Sequence, residues 1–183
     1  MGPVEMLHMS VFSQSFSPCG RFLAVGNSYG EIALFSLSAA LSPDSTPSSH
    51  KPVLTFTAHE GPVFCLVSSD LHLFSCGNGE ISTWSWSHLI KKNAKALWTK
   101  RPNYKLGLEI PEINAMILQN KENALVVGAE TTTCTCWTWR RDFLRFETKT
   151  SQTHVLFCHN IWNKVVMSGN ICKNTHSSFW LKM

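Results

Sequence analysis

Six cysteines and histidines near the C-terminus are the residues whose type best suits metal binding. They are Cys134, Cys136, His154, Cys158, Cys172 and His176, with the spacings C-x-C, H-x3-C and C-x3-H. Structural zinc sites usually combine a C-x2–4-C knuckle with H-x3–5-H, and this set has no such knuckle. The set is therefore a weak zinc candidate, and we predict neither a metal nor another cofactor.

Basic and aromatic residues in the same region suit nucleic-acid chemistry. Arg140, Arg141, Arg145 and Lys149 lie among tryptophans and phenylalanines. Such a mixture can hold RNA through phosphate contacts and base stacking. An RNA-binding protein that uses this basic, aromatic tail is accordingly the alternative function. A second basic run, K-K-N-A-K at residues 91–95, could contact phosphate, but its composition favours a solvated loop.

Enzyme signatures are missing from the sequence. It contains no G-x-S-x-G, no glycine-rich phosphate loop and no H-E-x-x-H. His59 has no Cys, Asp or second His nearby, which argues against a metal ligand or a catalytic base. We therefore predict no enzymatic activity, no catalytic residue and no small-molecule substrate.

The distribution of charge divides the chain into two segments. The 183 residues carry a net charge of +4, and 44% of them are hydrophobic, which is a globular composition. Residues 1–130 hold 9 Lys/Arg and 10 Asp/Glu, whereas residues 131–183 hold 7 and 2. All 8 prolines precede residue 131. So abrupt a change predicts two segments of different origin, 1–130 and 131–183.

The sequence shows no signal for a membrane or the secretory pathway. No apolar run approaches the ~18 residues of a membrane span, and the N-terminus lacks a basic start followed by an apolar stretch. We expect no membrane association, and we expect the 7 cysteines to be reduced thiols. Cys19, Cys65 and Cys76 have apolar neighbours and are predicted to be small core residues.

A repeat runs through the first 130 residues. Gly26, Gly77 and Gly128 each end an apolar run, and 51 positions separate each glycine from the next. The tripeptide G-E-I follows at residues 30–32 and again at residues 79–81. A fixed period of roughly 40–50 residues indicates a repeat architecture.

Each repeat contains four short strands. Apolar runs at residues 21–25 and 72–75 end in Asn/Gly turns, and strands rich in β-branched and aromatic residues follow at 31–35 and 80–84. Residues 52–56 and 96–98 supply a fourth strand. Four strands at this period predict an all-β fold of β-propeller blades, at residues ~7–57 and ~62–99, with part of a third to ~128. Residues 39–51, rich in Ser and Pro, are predicted to be a mobile surface loop.

The pattern resembles the WD-repeat family. In that family a Gly-His or Ala-His pair precedes the innermost strand, and its imidazole ties the loop to a polar residue of the same blade. Ala58 and His59 match this pair, while Phe35 and Trp84 match the signature Trp near the end of the third strand. The predicted structural repeat positions are thus Gly26, Phe35, His59, Gly77, Trp84 and Gly128.

Residues 7–128 further resemble the start of one WD-repeat family, the subunit 6 family of the THO complex. The stretches that match are F-S-Q-S, S-P-C-G, G-E-I-A-L-F-S-L-S, K-P-V, A-H-E-G-P-V and E-I-P-E-I-N-A. The resemblance implies a nuclear, non-enzymatic scaffold of the THO/TREX assembly, which couples transcription and splicing to mRNA export. It also implies protein–protein contacts with other THO/TREX subunits, with RNA reached indirectly through the complex.

Residues 131–183 depart from that family. The codons for E-T-T-T-C-T-C-W-T-W-R can be read in a shifted frame that starts at the third base of the Glu130 codon. In that frame the codon that spans Cys136 and Trp137 always encodes Leu, and the codon that spans Trp137 and Thr138 always encodes Asp. The shifted peptide can end D-L-E-T-G, which resembles the third strand of a WD blade. We therefore expect residues 131–183 to be a frameshifted or alternatively spliced tail, irregular and poorly ordered, in which residues 137–139 still form a strand.

Overall fold

The computed structural model describes residues 9–101, 112–119, 124–129, 133–140, 143–150, 157–161, 164–171 and 175–181. Its contacts divide the chain into two compact units, Met1–Lys100 and Arg101–Met183. The packing boundary thus falls at residue 100, whereas composition changes at residue 130. Packing does not report the origin of a segment, so the division into 1–130 and 131–183 stays a prediction.

The first sheet is an antiparallel meander. Its strands are β1 (Val11–Phe16), β2 (Phe22–Asn27), β3 (Glu31–Ser36) and β4 (Leu54–Thr57), hydrogen-bonded in that order. Gly30 closes the turn between β2 and β3 with φ +80, a left-handed conformation that costs glycine little. These strands form blade 1, within the range predicted from the repeat.

The segment between β3 and β4 contains two helical turns. Helix α1 (Leu37–Ala40) begins at Ser36, whose hydroxyl accepts a hydrogen bond from the Ala39 N–H. A 3-10 helix (Pro47–His50) follows, with proline at its first position. The predicted surface loop therefore has local helical structure, because serine caps and a proline start favour short helical turns.

The second sheet repeats the meander. Its strands are β5 (Cys65–Ser68), β6 (His72–Cys76), β7 (Ile81–Ser85) and β8 (Ala96–Lys100), and helix α2 (Trp86–Ile90) joins β7 to β8. These strands form blade 2. Strand β5 begins two residues later than the apolar run that starts at residue 63. Val63 instead donates its N–H to Asn27 of blade 1.

An apolar core fills the space between the two blades. Its buried members come from both sheets and from α2: Ala24, Ile32, Leu34, Val63, Leu66, Leu73, Trp84, Trp86 and Leu89. Polar contacts join the innermost strands, where Ser15 and Ser68 share a hydrogen bond of 2.6 Å. Because alternate residues of a strand point to opposite faces, one face of each sheet can supply this core.

The second unit contains two further antiparallel sheets. The first has β9 (Ile113–Gln119), β10 (Ala124–Ala129), β11 (Thr133–Arg140) and β12 (Phe143–Thr150). The second has β13 (Phe157–Ile161), β14 (Lys164–Ile171) and β15 (Thr175–Leu181). No helix in the described part of the chain is long and apolar enough to cross a bilayer.

The structure confirms the all-β blades, and it also describes strands within the region predicted to be an irregular tail, whose poor order stays a prediction. The predicted strand at residues 137–139 is present within β11, and strands also form β12 to β15. Residues 134–138 of β11 pair with residues 124–128 of β10, and the other side of β10 pairs with β9. β-Branched and aromatic residues in the tail favour the extended conformation.

Cys19 corrects one expectation. Cys76 is buried as predicted, and Cys65 is partly buried, but Cys19 is exposed. It lies in a tight turn in which Gly20 donates its N–H to Ser17, so the apolar neighbours belong to strands on either side. Hydrogen bonds, first from the Ser17 side chain and then from Arg21, lower the pKa of its thiol to about 7.

We predict that Gly30→Ala destabilises the chain much more than Gly20→Ala. Both glycines have positive φ, so alanine costs about 1–2 kcal/mol of backbone strain at either position. A Cβ at Gly20 has no atom within 4 Å, whereas a Cβ at Gly30 overlaps the His59 carbonyl oxygen. Urea denaturation followed by tryptophan fluorescence measures both losses, and equal losses would contradict tight packing at the turn of blade 1.

Candidate functional site

One loop joins the two blades and is fixed to both of them. It connects β4 to β5, and its backbone N–H groups at Ala58 and His59 donate to the Gly30 carbonyl at 2.8 and 3.1 Å. At its far end, Val63 donates to the Asn27 carbonyl at 3.0 Å. The loop therefore lies against the β2–β3 turn of blade 1 before it enters blade 2.

The His59 side chain reaches from this loop into blade 2. Its Nε2 lies 2.9 Å from the Ser75 Oγ, and its Nδ1 lies 3.1 Å from the Glu80 Oε1. The Trp84 Nε1–H donates to the same Ser75 Oγ at 2.9 Å. Because the indole can only donate, Ser75 accepts that bond and donates its hydroxyl hydrogen to Nε2. Nδ1 then bears the hydrogen that the Glu80 carboxylate accepts.

Burial governs the charge of this imidazole. His59 is 3% exposed, and desolvation lowers its pKa below the ordinary value of 6.5, although Glu80 acts in the opposite direction. The ring is therefore neutral at physiological pH, and both nitrogens are hydrogen-bonded. A histidine sealed in this way has no accessible nitrogen for a metal or for proton transfer to a substrate.

Two of the predicted glycines leave room for the loop. A Cβ at Gly77 would lie 2.7 Å from the His59 Cγ and 3.0 Å from the Pro62 carbonyl oxygen. A Cβ at Gly26 would lie 2.7 Å from the Val63 Cβ and 2.6 Å from the Ser13 Oγ. The shared position of the two glycines in the repeat thus marks where the backbone approaches the loop closely.

The other predicted repeat positions are not equivalent. Trp84 is buried, and its ring lies 4.7 Å from that of Phe56 in blade 1. Phe35 is only half-buried in β3, opposite Leu23. Gly128 lies in β10, in the second unit. The structure therefore brings His59, Gly77 and Trp84 together, and the wider repeat role of all six positions stays a prediction.

Sequence analysis missed Ser75, Glu80 and the contact made by Gly30. Glu80 had a signal, because G-E-I occurs in both repeats. Ser75 had none, because the place that it occupies in blade 2 is taken by Ala24 in blade 1. Only the pairing of β6 with β7, which places Ser75 opposite Ser82 and Leu73 opposite Trp84, shows that Ser75 can meet the indole.

No metal site emerges from the part of the chain whose side chains the structure describes. That part contains no group of three or more His, Cys, Asp or Glu residues placed to hold a metal. The six-residue zinc candidate and the four basic tail residues lie outside it.

Comparison with known sequences finds one repeat family and several similar proteins. The WD domain, G-beta repeat family matches residues 50–85. A zebrafish (Danio rerio) protein named THO complex subunit 6 homolog is 71% identical over 128 residues, which cover 70% of this chain and 40% of the relative. The human (Homo sapiens) THO complex subunit 6 is 55% identical over 125 residues, which cover 68% and 37%. The chain thus spans about two-fifths of the length of these relatives.

Comparison with solved structures supports the fold alone. The Neurospora crassa Pan2 WD40 domain superposes with a TM-score of 0.69 at 13% identity, over 92% of this chain and 47% of that one. The computationally designed Ika4 protein superposes with a TM-score of 0.64 at 16% identity, over 94% and 92%. Together with the matched repeat, these similarities show part of a WD-repeat β-propeller.

We predict that Ser75→Ala costs about 2–4 kcal/mol of unfolding free energy, because it leaves the Trp84 indole N–H and the His59 Nε2 buried without partners. Ser82→Ala is the matched control, since Ser82 is also buried but its single partner, Thr99, is exposed to water. That control should cost about 1 kcal/mol. Urea denaturation checks both values, and a smaller loss for Ser75→Ala would contradict the network.

The lowered pKa of His59 predicts acid sensitivity. Below pH 6.5 the unfolded chain binds a proton that the folded chain resists, so the unfolding free energy should fall as the pH is lowered from about 7 to 5. His72, whose pKa burial also lowers, contributes in the same direction. His59→Gln should flatten the pH dependence of the unfolding free energy, which urea denaturation measures. His72→Gln measures the contribution of His72 to the same pH dependence. An unchanged slope in His59→Gln would disprove the assignment.

Proposed function

We propose, on the premise that about 70% of this chain is homologous to THO complex subunit 6, that it acts as a non-enzymatic scaffold subunit of a THO complex. The observation that carries the proposal is the 71% identity with the zebrafish relative, combined with a matched WD repeat. WD-repeat propellers present loops and edges on a rigid ring, which suits a scaffold. The partners are other THO/TREX subunits, and RNA is reached through them.

The buried chemistry of the described residues supports a scaffold over an enzyme. Both nitrogens of the His59 imidazole are bonded to Ser75 and Glu80 of blade 2, and its backbone N–H is bonded to Gly30 of blade 1, so the residue joins the two blades instead of serving a reaction. Such a network fixes the loops at the blade junction, and fixed loops lower the entropy lost when a partner binds. The cellular role that we propose is nuclear, in coupling transcription and splicing to mRNA export.

We also propose that residues 131–183 are a frameshifted or alternatively spliced segment. The length of the sequence match supports this, since it covers 128 of the 183 residues. Reading the genomic DNA around codon 130 in all three frames tests the proposal. The expected result is that the similarity to THO complex subunit 6 continues in a shifted reading frame. The proposal would be refuted if relatives encode a tail like residues 131–183 in the same, unshifted frame.

Affinity purification tests the scaffold role. The tagged chain, expressed in the nucleus, should recover other THO subunits above the level recovered by an unrelated tagged WD40 domain. Ser75→Ala should recover less, because the blade junction that presents the loops is weakened. Failure to enrich any THO subunit, with a chain shown to be folded by circular dichroism, would refute the proposal.

The purified tagged chain also distinguishes the scaffold role from the alternative function, RNA binding by residues 131–183. If the chain binds single-stranded RNA directly, with strong salt dependence, and deletion of residues 131–183 abolishes that binding, the RNA-binding function of the tail is favoured. The scaffold proposal predicts that RNA is recovered only together with THO subunits, and that nuclease treatment leaves those subunits bound.

A further inference from the structure

Three lysines lie together at the outer edge of blade 2. Lys91, Lys92 and Lys95 follow helix α2, and all three side chains are exposed. None of them makes an ion pair or a side-chain hydrogen bond with the residues that the structure describes. Neighbouring cations without a counter-charge repel one another, so negative charge from a partner would lower the energy here. Residues 91–95 are called the lysine loop below.

The lysine loop is held in one conformation. Lys92 donates its N–H to the Leu89 carbonyl, and Asn93 donates to the His88 carbonyl, both at 2.9 Å. Leu89 is 1% exposed, and Ala94 packs against the core between the blades. The two bonds form a helix C-terminal motif in which Lys92 occupies the left-handed position. The lysines are therefore presented on a fixed backbone, which favours binding.

Lys92 has a backbone conformation that glycine would adopt more easily. Its φ is 60, and it is the one residue other than glycine with positive φ among the described residues. A side chain at such a position costs about 1–2 kcal/mol. Strain of this kind often persists where a side chain has a function. A lysine at the place where glycine is the common choice thus points to a use for its charge.

Two exposed aliphatic side chains flank the lysine loop. Ile90 is 44% exposed and Leu97 is 45% exposed. Leu97 is the extra residue of a β-bulge on edge strand β8, since Thr83 pairs with Trp98 and Trp84 pairs with Ala96. Bulges on edge strands redirect a side chain, and here the result is an exposed leucine. The corresponding edge strand of blade 1, β4, pairs with β3 without a bulge.

We propose that the lysine loop, with Ile90 and Leu97, binds an acidic protein segment that carries aliphatic side chains. Carboxylates would pair with the lysines, while leucine or isoleucine would cover the two exposed aliphatic residues. Residues 90–97 contain no arginine and no aromatic ring, the side chains on which single-stranded RNA stacks. The inference deepens the proposed scaffold role and rests on it, but the test requires no THO subunit.

A peptide-binding experiment tests this surface on the full chain. The probe is a short fluorescein-labelled peptide in which glutamates flank leucines, and fluorescence anisotropy measures its affinity. Lys91→Glu/Lys92→Glu/Lys95→Glu should weaken binding at least about tenfold. Leu97→Ser should also weaken it. Lys51→Glu, which changes an exposed lysine of the β3–β4 segment, should leave the affinity unchanged.

Lys92→Gly separates binding from folding. This variant relieves the backbone strain, so its urea midpoint should rise while its peptide affinity falls. Lys91→Gly removes the same charge at a residue with φ −83 and should lower both. A loss of affinity in Lys92→Gly therefore cannot be ascribed to unfolding.

Three outcomes would overturn the proposal. The first is failure of the unmodified chain to bind the peptide at physiological salt. The lysines would then serve only to prevent edge strand β8 from pairing with another chain. The second is an equal loss of affinity in Lys51→Glu, which would indicate non-specific attraction. The third is tighter, lysine-dependent binding of oligouridine than of the peptide. Recovery of THO subunits by a chain that fails these tests would defeat this inference alone and leave the scaffold role standing.

Discussion

The two blades depend on one buried imidazole that belongs to the connection between them. His59 lies on a loop whose backbone is bonded to Gly30 of blade 1, and its ring is bonded to Ser75 and Glu80 of blade 2. An unpaired polar atom at this depth costs about 1–3 kcal/mol, so each partner is needed once the ring is buried. This one residue therefore links the two sheets, with its backbone bonded to blade 1 and its ring bonded to blade 2.

The blades differ in how they are stabilised. Blade 2 holds Ser75 and Trp84 at the places where blade 1 has Ala24 and Phe35, so of these two blades it is blade 2 that forms the Ser75–Trp84 hydrogen bond. Blade 1 contributes Ile32 and Leu34 to the core and offers the turn on which the loop rests. Polar networks define a unique arrangement more sharply than apolar contacts do, because a displaced hydrogen bond is lost outright. The bonds of His59 and Trp84 to Ser75 therefore fix the position of the loop on blade 2.

The sequence was sufficient for the blades and insufficient for their internal contacts. Strand periodicity, Asn/Gly turns and the equal spacing of Gly26, Gly77 and Gly128 are local signals, and they located the strands of both blades. Ser75 could not be assigned because its partners come from residues 9 and 16 positions away, on a neighbouring strand and a loop. Cys19 was misplaced because apolar neighbours in sequence do not show which way a turn projects. Strand β11 pairs with β10, and composition does not reveal such a pairing.

The meander order of each sheet has a consequence for how the chain folds. Strands β1 to β4 pair only with their neighbours in sequence, so every ladder in blade 1 is available once residue 57 has been made. Contacts that reach blade 2 have much larger sequence separations, such as 50 between Ser13 and Val63 and 53 between Ser15 and Ser68. Local pairs close quickly and distant ones slowly. During synthesis from the N-terminus, blade 1 can thus assemble as a template before the ribosome has completed the strands that dock onto it.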